Sequence, residues 1–175
     1  RFVPRFVKEN FLASLIVFVI ILNLLFAVHS LDPILQYRQI FFENMKGDSN
    51  FGVSFASPFV FVPDFIKSTA YQLFGLFFSN VPALIVFFVE SVPFALGVRY
   101  MLKNLKYANS FVWFLIVFTF TYSTVFILGN DNLGTAVRLR MFSYFSVLIS
   151  CMIIYQIRNL FSPNSGPACN SKKYF

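Results

Sequence analysis

The residues best suited to chemistry lie in Gly129–Arg140, GNDNLGTAVRLR, between two apolar runs. Asn130 or Asn132 can cap a helix that begins here, and Gly134 permits a close approach of backbone. A helix N-terminus already favours anions. Two guanidinium groups, Arg138 and Arg140, add bidentate donors, which together make a candidate site for a phosphate, pyrophosphate or carboxylate. The plainer alternative is a turn whose arginines snorkel to lipid headgroups. Spacing limits the first reading, because residues two apart on a helix diverge by about 200° and cannot both face one ligand.

Glu90 is the one acid deep in an apolar run. Intramembrane carboxylates are costly and mark functional sites by default. Its alternative role is a helix-end group paired with Arg99 or water. Asn23, Gln72 and Asn80 read as hydrogen-bond partners between helices, and His29 as a structural interfacial residue. No P-loop, dinucleotide fingerprint, nucleophile elbow or H-E-x-x-H is present. Cys151 and Cys169 build neither a disulfide nor a metal motif, so no metal and no cofactor is expected.

The elements that must position these residues follow from composition. Of 175 residues, 58% are hydrophobic, 21% aromatic and 12% charged, with 27 phenylalanines. The mean hydropathy is +0.71. A soluble domain is nearer half apolar and a quarter charged, so this chain is read as an all-α integral membrane bundle. Its net charge of +7 falls between apolar runs, which points to membrane orientation and away from nucleic acid. About 20 apolar residues cross a bilayer, giving spans near residues 11–28, 68–98, 107–130 and 135–157. A retained helix is preferred to a signal peptide for the first. The second is interrupted by Gly75, Pro82, Pro93 and Gly97. One long kinked or tilted helix is expected there, with a re-entrant pair of half-helices as the alternative.

Asn50–Pro63 is apolar but too short to span and reads as an outward interfacial or re-entrant segment. Residues 1–161 thus form the transmembrane domain, and 162–175 a polar cytoplasmic tail expected to be disordered. The loop with Arg99, Lys103 and Lys106 and the tail with Arg158, Lys172 and Lys173 carry no acid. That places both termini in the cytoplasm and the Gly129–Arg140 segment outside. The first residue is Arg1 rather than Met, which suggests a piece of a longer protein.

Two stretches carry a family likeness. Asn130-x-x-x-Gly134-Thr135-Ala136-x-Arg138-x-Arg140 resembles the N-x-G-T-x-x-R-x-R signature of bacterial multi-spanning inner-membrane proteins from O-antigen, capsule and exopolysaccharide clusters. Ser57-Pro58-Phe59, then Glu90 and Arg99, is similar to the same group's Pro-Phe … Glu … Arg region. The resemblance covers Phe51 to Leu160 and implies the C-terminal portion of a longer protein. It implies assembly of surface polysaccharide, as a polymerase of lipid-linked repeat units at the periplasmic face. A transporter or flippase portion and a small non-catalytic membrane protein are the alternatives. It adds Thr135 to the anion-binding set of Asn130, Arg138 and Arg140. The implied partners are membrane lipid, a polyprenyl-linked glycan and other polysaccharide-assembly membrane proteins.

Overall fold

The structure, a computed structural model, describes residues 10–44, 50–78 and 81–160. The expected tail, together with Asn80 and Cys169, lies outside the described residues. Among the described residues, seven α-helices follow one another: α1 Phe11–Ala27, α2 Asp32–Asn44, α3 Pro58–Gln72, α4 Val81–Val86, α5 Val92–Lys103, α6 Ser110–Gly129 and α7 Leu133–Leu160. A π-helical turn, Phe87–Ser91, joins α4 to α5 into one helix. Among the described residues there is no strand, only an isolated antiparallel bridge between Asn50 and Asn132. The chain is an all-α membrane bundle.

Among the described residues, three helices are long and apolar enough to cross a membrane: Val81–Lys103, Ser110–Gly129 and Leu133–Leu160. A fourth crossing, α1, reaches that length when taken with α2, from which it is bent by 76°. Phe11 packs on Trp113 near the start of α6, whereas Leu22 and Leu31 join a cluster with Leu128 at its end. The start of α1, the turn at Asn104 and the end of α7 therefore share one face, the Asn104 face. The α6–α7 junction lies at the other, the Asn130 face. There α2 lies across the end of α6, with Ile34 and Tyr37 against Gly129.

The α6–α7 hairpin is closed by residues the chain places at its ends. Asn109 caps α6 by accepting from the Val112 N–H at 2.9 Å, and Asn132 caps α7 by accepting from Gly134 and Thr135. Each such cap is worth about 1 kcal/mol. Along α7 the buried positions are Ala136, Arg140, Ser143, Ser146, Val147, Ser150 and Ile154; all but Ser146 are spaced alternately four and three, as in a helical seam. Small residues there let backbones approach, and hydroxyls bond across helices because lipid offers them no partner. Ser123 and Ser143 do this at 2.8 Å. Arg140 is a seam residue and Arg138 is not, which is why two arginines so close in sequence part company.

The uncharged run 68–98, expected as one helix or as two half-helices, is divided differently. Its first residues end α3, and the chain then turns through Gly75 at φ +62° before the span starts at Val81. Within the span, the Val92 N–H bonds to the Phe87 carbonyl, one residue further back than in an α-helix. Pro93 explains the wide turn: it has no N–H for the Val89 carbonyl, and its ring would collide with it. The other spans begin or end within a few residues of expectation.

The interfacial or re-entrant segment is also built differently in detail. Residues 50–57 are extended along the Asn130 face, and α3 then turns inward from Pro58. The Leu73 carbonyl accepts from the Tyr144 hydroxyl at 2.9 Å, and Gly75 touches Arg140. Arg140 lies about 10 Å along α7 from Leu133. Irregular backbone at that depth survives only when buried in protein, and here α7 and the π turn bury it.

Packing at the seam predicts an asymmetry on α7. Ser143→Leu should destabilise the folded protein by about 1–3 kcal/mol through overpacking, read from denaturant unfolding in mixed micelles. Met152→Leu, on the exposed face, should change it by less than about 0.5 kcal/mol. Equal effects would contradict the seam.

Candidate functional site

Three polar centres interrupt the apolar bundle, descending from the Asn130 face. In the first, Arg38 on α2 is buried at 4% exposure and paired with Asp131 at 5%. Arg38 Nη1 also donates to the Ile127 and Leu128 carbonyls at 3.1 and 3.3 Å. These are orphan acceptors at the negative end of α6, where a cation is favoured. Asp131 in turn accepts from the Gly52 and Val53 N–H groups, so it fastens the extended segment to the hairpin. Burial pushes the Asp131 carboxyl up, while Arg38 and the two N–H groups pull it down. Arg38 also lies 4.9 Å from the centre of the Phe55 ring. Beside the pair opens a cavity of about 390 Å³ lined by Leu35, Arg38, Gln39, Gly52, Val53, Ser54 and Asp131.

The second centre is a latch. Gln72, fully buried at the end of α3, donates to the carbonyls of Ile127 and Asn130, both at 2.9 Å. The Asn130 amide donates back to Gln72 Oε1 at 2.9 Å and to the Asn132 carbonyl. Ser68, one turn earlier, donates to the Ile127 carbonyl. These bonds satisfy the end of α6 and hold α3 against it.

The third is the Glu90–Arg140 pair. Arg140 Nη2 donates to Glu90 Oε2 at 2.9 Å, with Arg140 at 0% exposure and the Glu90 side chain at 29%. Glu90 stands in the π turn, so the irregularity that Pro93 causes also sets the carboxylate's direction. Arg140 further lies 5.4 Å from the Tyr144 ring centre, and Phe94 stacks on that ring at 4.1 Å. Only one of the guanidinium nitrogens is satisfied: Arg140 Nε and Nη1 have no hydrogen-bond partner. A Cβ at Gly75 would come within 2.9 Å of Arg140 Nη1 and 2.7 Å of Ser91 Oγ.

The residues singled out by sequence therefore serve separate places. Arg140 and Glu90 meet, so the partner of Glu90 is Arg140 and not the Arg99 or water of its helix-end reading. Asn130 belongs to the latch, and Thr135 offers its N–H to the Asn132 cap. Arg138 is exposed on another face of α7. His29 stands in the turn between α1 and α2, 3.2 Å from Asp32. Sequence reasoning missed Arg38 and Asp131, and saw Gln72 only as a generic helix partner. A lone acid among helix-capping asparagines was the available signal for Asp131. Among the described residues, no three His, Cys, Asp or Glu side chains group as a metal site.

Fold and site together define a multi-pass helical membrane protein with one ion pair at a membrane face and another within the spanning region. No protein-family model, curated protein or solved structure matches the chain.

The two left-handed glycines give a controlled test. Gly52→Ala, at φ +66° with open space, should cost about 1–2 kcal/mol from backbone strain alone. Gly75→Ala, at nearly the same φ, should cost at least about 1 kcal/mol more from overlap with Arg140 and Ser91. Unfolding in mixed micelles reads both; equal costs would mean that Gly75 does not press on the pair.

Proposed function

We propose that this chain works in surface-polysaccharide assembly in the bacterial cytoplasmic membrane, as a polymerase-type protein acting on lipid-linked repeat units. The observation that carries the reading is the cavity at the Asn130 face. Its volume of about 390 Å³ lies within the range of small-molecule sites. Arg38 and Asp131 cancel in charge, and Gln39 and Ser54 add neutral donors and acceptors. Such a lining suits an uncharged, hydroxyl-rich ligand, and a sugar is that ligand. The likeness of the Asn130–Arg140 stretch to the polysaccharide-cluster signature supports the same substrate class. Arg99, Lys103, Lys106 and Arg158, near the opposite face, support a periplasmic Asn130 face and cytoplasmic termini. In this reading the Gln72–Asn130 latch positions the cavity wall, and the reaction needs no nucleotide.

A second reading, translocation of the lipid-linked unit, is favoured by one observation. The π turn at Glu90 and the broken end of α3 meet at Arg140, and interrupted helices of this kind form the binding sites of transporters.

Surface and lipid-linked glycan profiles separate the two. Ser54→Phe places a ring in the cavity and leaves both residues of the Arg38–Asp131 pair unsubstituted. The polymerase reading predicts at least about tenfold fewer long chains in this variant, the equivalent of ~1.4 kcal/mol at the transition state, with single repeat units on the surface. The translocation reading predicts that Glu90→Gln leaves repeat units on the cytoplasmic side. A normal profile from both variants, at normal membrane levels, overturns the proposal.

A further inference from the structure

A groove of about 260 Å³ runs between α5 and α7; it shares Glu90 and Tyr144 with the Arg140 centre, and its apolar walls have no role above. Pro93 and Phe94 form one wall, and Met141, Phe145 and Leu148 the other. Gly97 forms its floor. There Cys151 Sγ donates to the Gly97 carbonyl at 3.2 Å, and Val147 Cγ1 stands 3.3 Å from where a Cβ would be. The helices therefore touch at the floor and part toward the π turn, leaving a slot that faces sideways into the bilayer. Exposed Val89 and Leu148 continue its apolar rim.

The head of the slot is charged. Glu90 lines it but is already held by Arg140, so that pair is neutral overall. Arg138 is exposed and makes no ion pair with any described residue. It precedes Phe145 by seven residues, so the two align within about 20° on α7. Arg138 lies only about 7–8 Å along the helix from Leu133, a depth from which a long side chain reaches headgroups. Arg138 stands one helical turn above the wall residue Met141 and outside the slot's own lining, and a hydrocarbon-sized slot with a cation at that position is complementary to an anionic lipid.

We propose that this groove is a binding site for an anionic phospholipid, with one acyl chain between α5 and α7 and the phosphate on Arg138. The proposal does not rest on the polysaccharide reading. The π turn has a part in it: by widening the helix at Glu90 it opens the upper end of the slot, while Gly97 closes the lower.

The test is native mass spectrometry of the full chain from mixed micelles containing equal phosphatidylglycerol and phosphatidylcholine. One phosphatidylglycerol should be retained per chain, preferred about fivefold, the ratio expected for one arginine near a membrane surface. Arg138→Ala should abolish the preference and Arg138→Lys keep most of it. Leu148→Trp, which fills the slot, should lose both lipids while helix content by circular dichroism stays unchanged. No preference in the wild type, or a preference that survives Arg138→Ala, overturns the proposal. So does recovery of a polyprenyl phosphate from native membranes in place of phospholipid, because that would make the groove a substrate site.

Discussion

A guanidinium cannot shed its proton in a protein, and in hydrocarbon it cannot stand alone. Arg140, fully buried on a seam of α7, imposes that constraint on everything around it. The carboxylate of Glu90 must face it, and an unbroken α-helix through Pro93 would not leave the same geometry. The turn at Gly75 must come close enough to exclude lipid, which only a residue without a side chain permits at that spacing. Tyr144 covers the guanidinium face and at the same time ties the end of α3 by its hydroxyl. The π turn, the inward end of α3 and the seam thus answer one demand.

The Asn130 face is organised by a related demand. The end of α6 presents carbonyls that water reaches poorly, and two side chains far apart in sequence satisfy them: Arg38 from α2 and Gln72 from α3. Asp131 neutralises the first and anchors the extended segment, and Asn130 completes the second. The hairpin end is thereby the point where α2, the extended segment and α3 are gathered. The cavity is the space left between α2, the extended segment and Asp131. Below it, the Glu90–Arg140 pair is incompletely satisfied, with two donor nitrogens unpartnered.

Much of the bundle was legible in the sequence, because crossing a bilayer leaves a simple signal: apolar runs of sufficient length between polar breaks. The runs over α1, α6 and α7 show this, as does the Asn132 cap. The divergence of Arg138 from Arg140 followed from helical geometry alone. What could not be read has a common cause. The run 68–98 looks continuous because hydropathy does not register a left-handed glycine that sends the chain back to the membrane face. Helix α2 begins with Asp32 and Pro33 and carries mixed charge, so it offers no apolar signal. The pairs Glu90–Arg140 and Arg38–Asp131 join residues 50 and 93 positions apart, and one sequence holds no record of such contacts. Glu90 was therefore recognised as costly, with Arg99 or water as the only partners the sequence offered.

The central claim is that Arg140 and Glu90 form one coupled pair within the membrane, and a double-mutant cycle of Glu90→Gln and Arg140→Gln in mixed micelles tests it most directly. Glu90→Gln alone should be the more damaging single change, because it strands a fully buried cation at a cost of about 3–5 kcal/mol. Arg140→Gln leaves a carboxylate that is partly exposed rather than fully buried. The double variant should be more stable than Glu90→Gln by at least about 1 kcal/mol, the scale of coupling between directly contacting residues. Additive losses, with the double variant the least stable, would contradict the pairing and the account built on it.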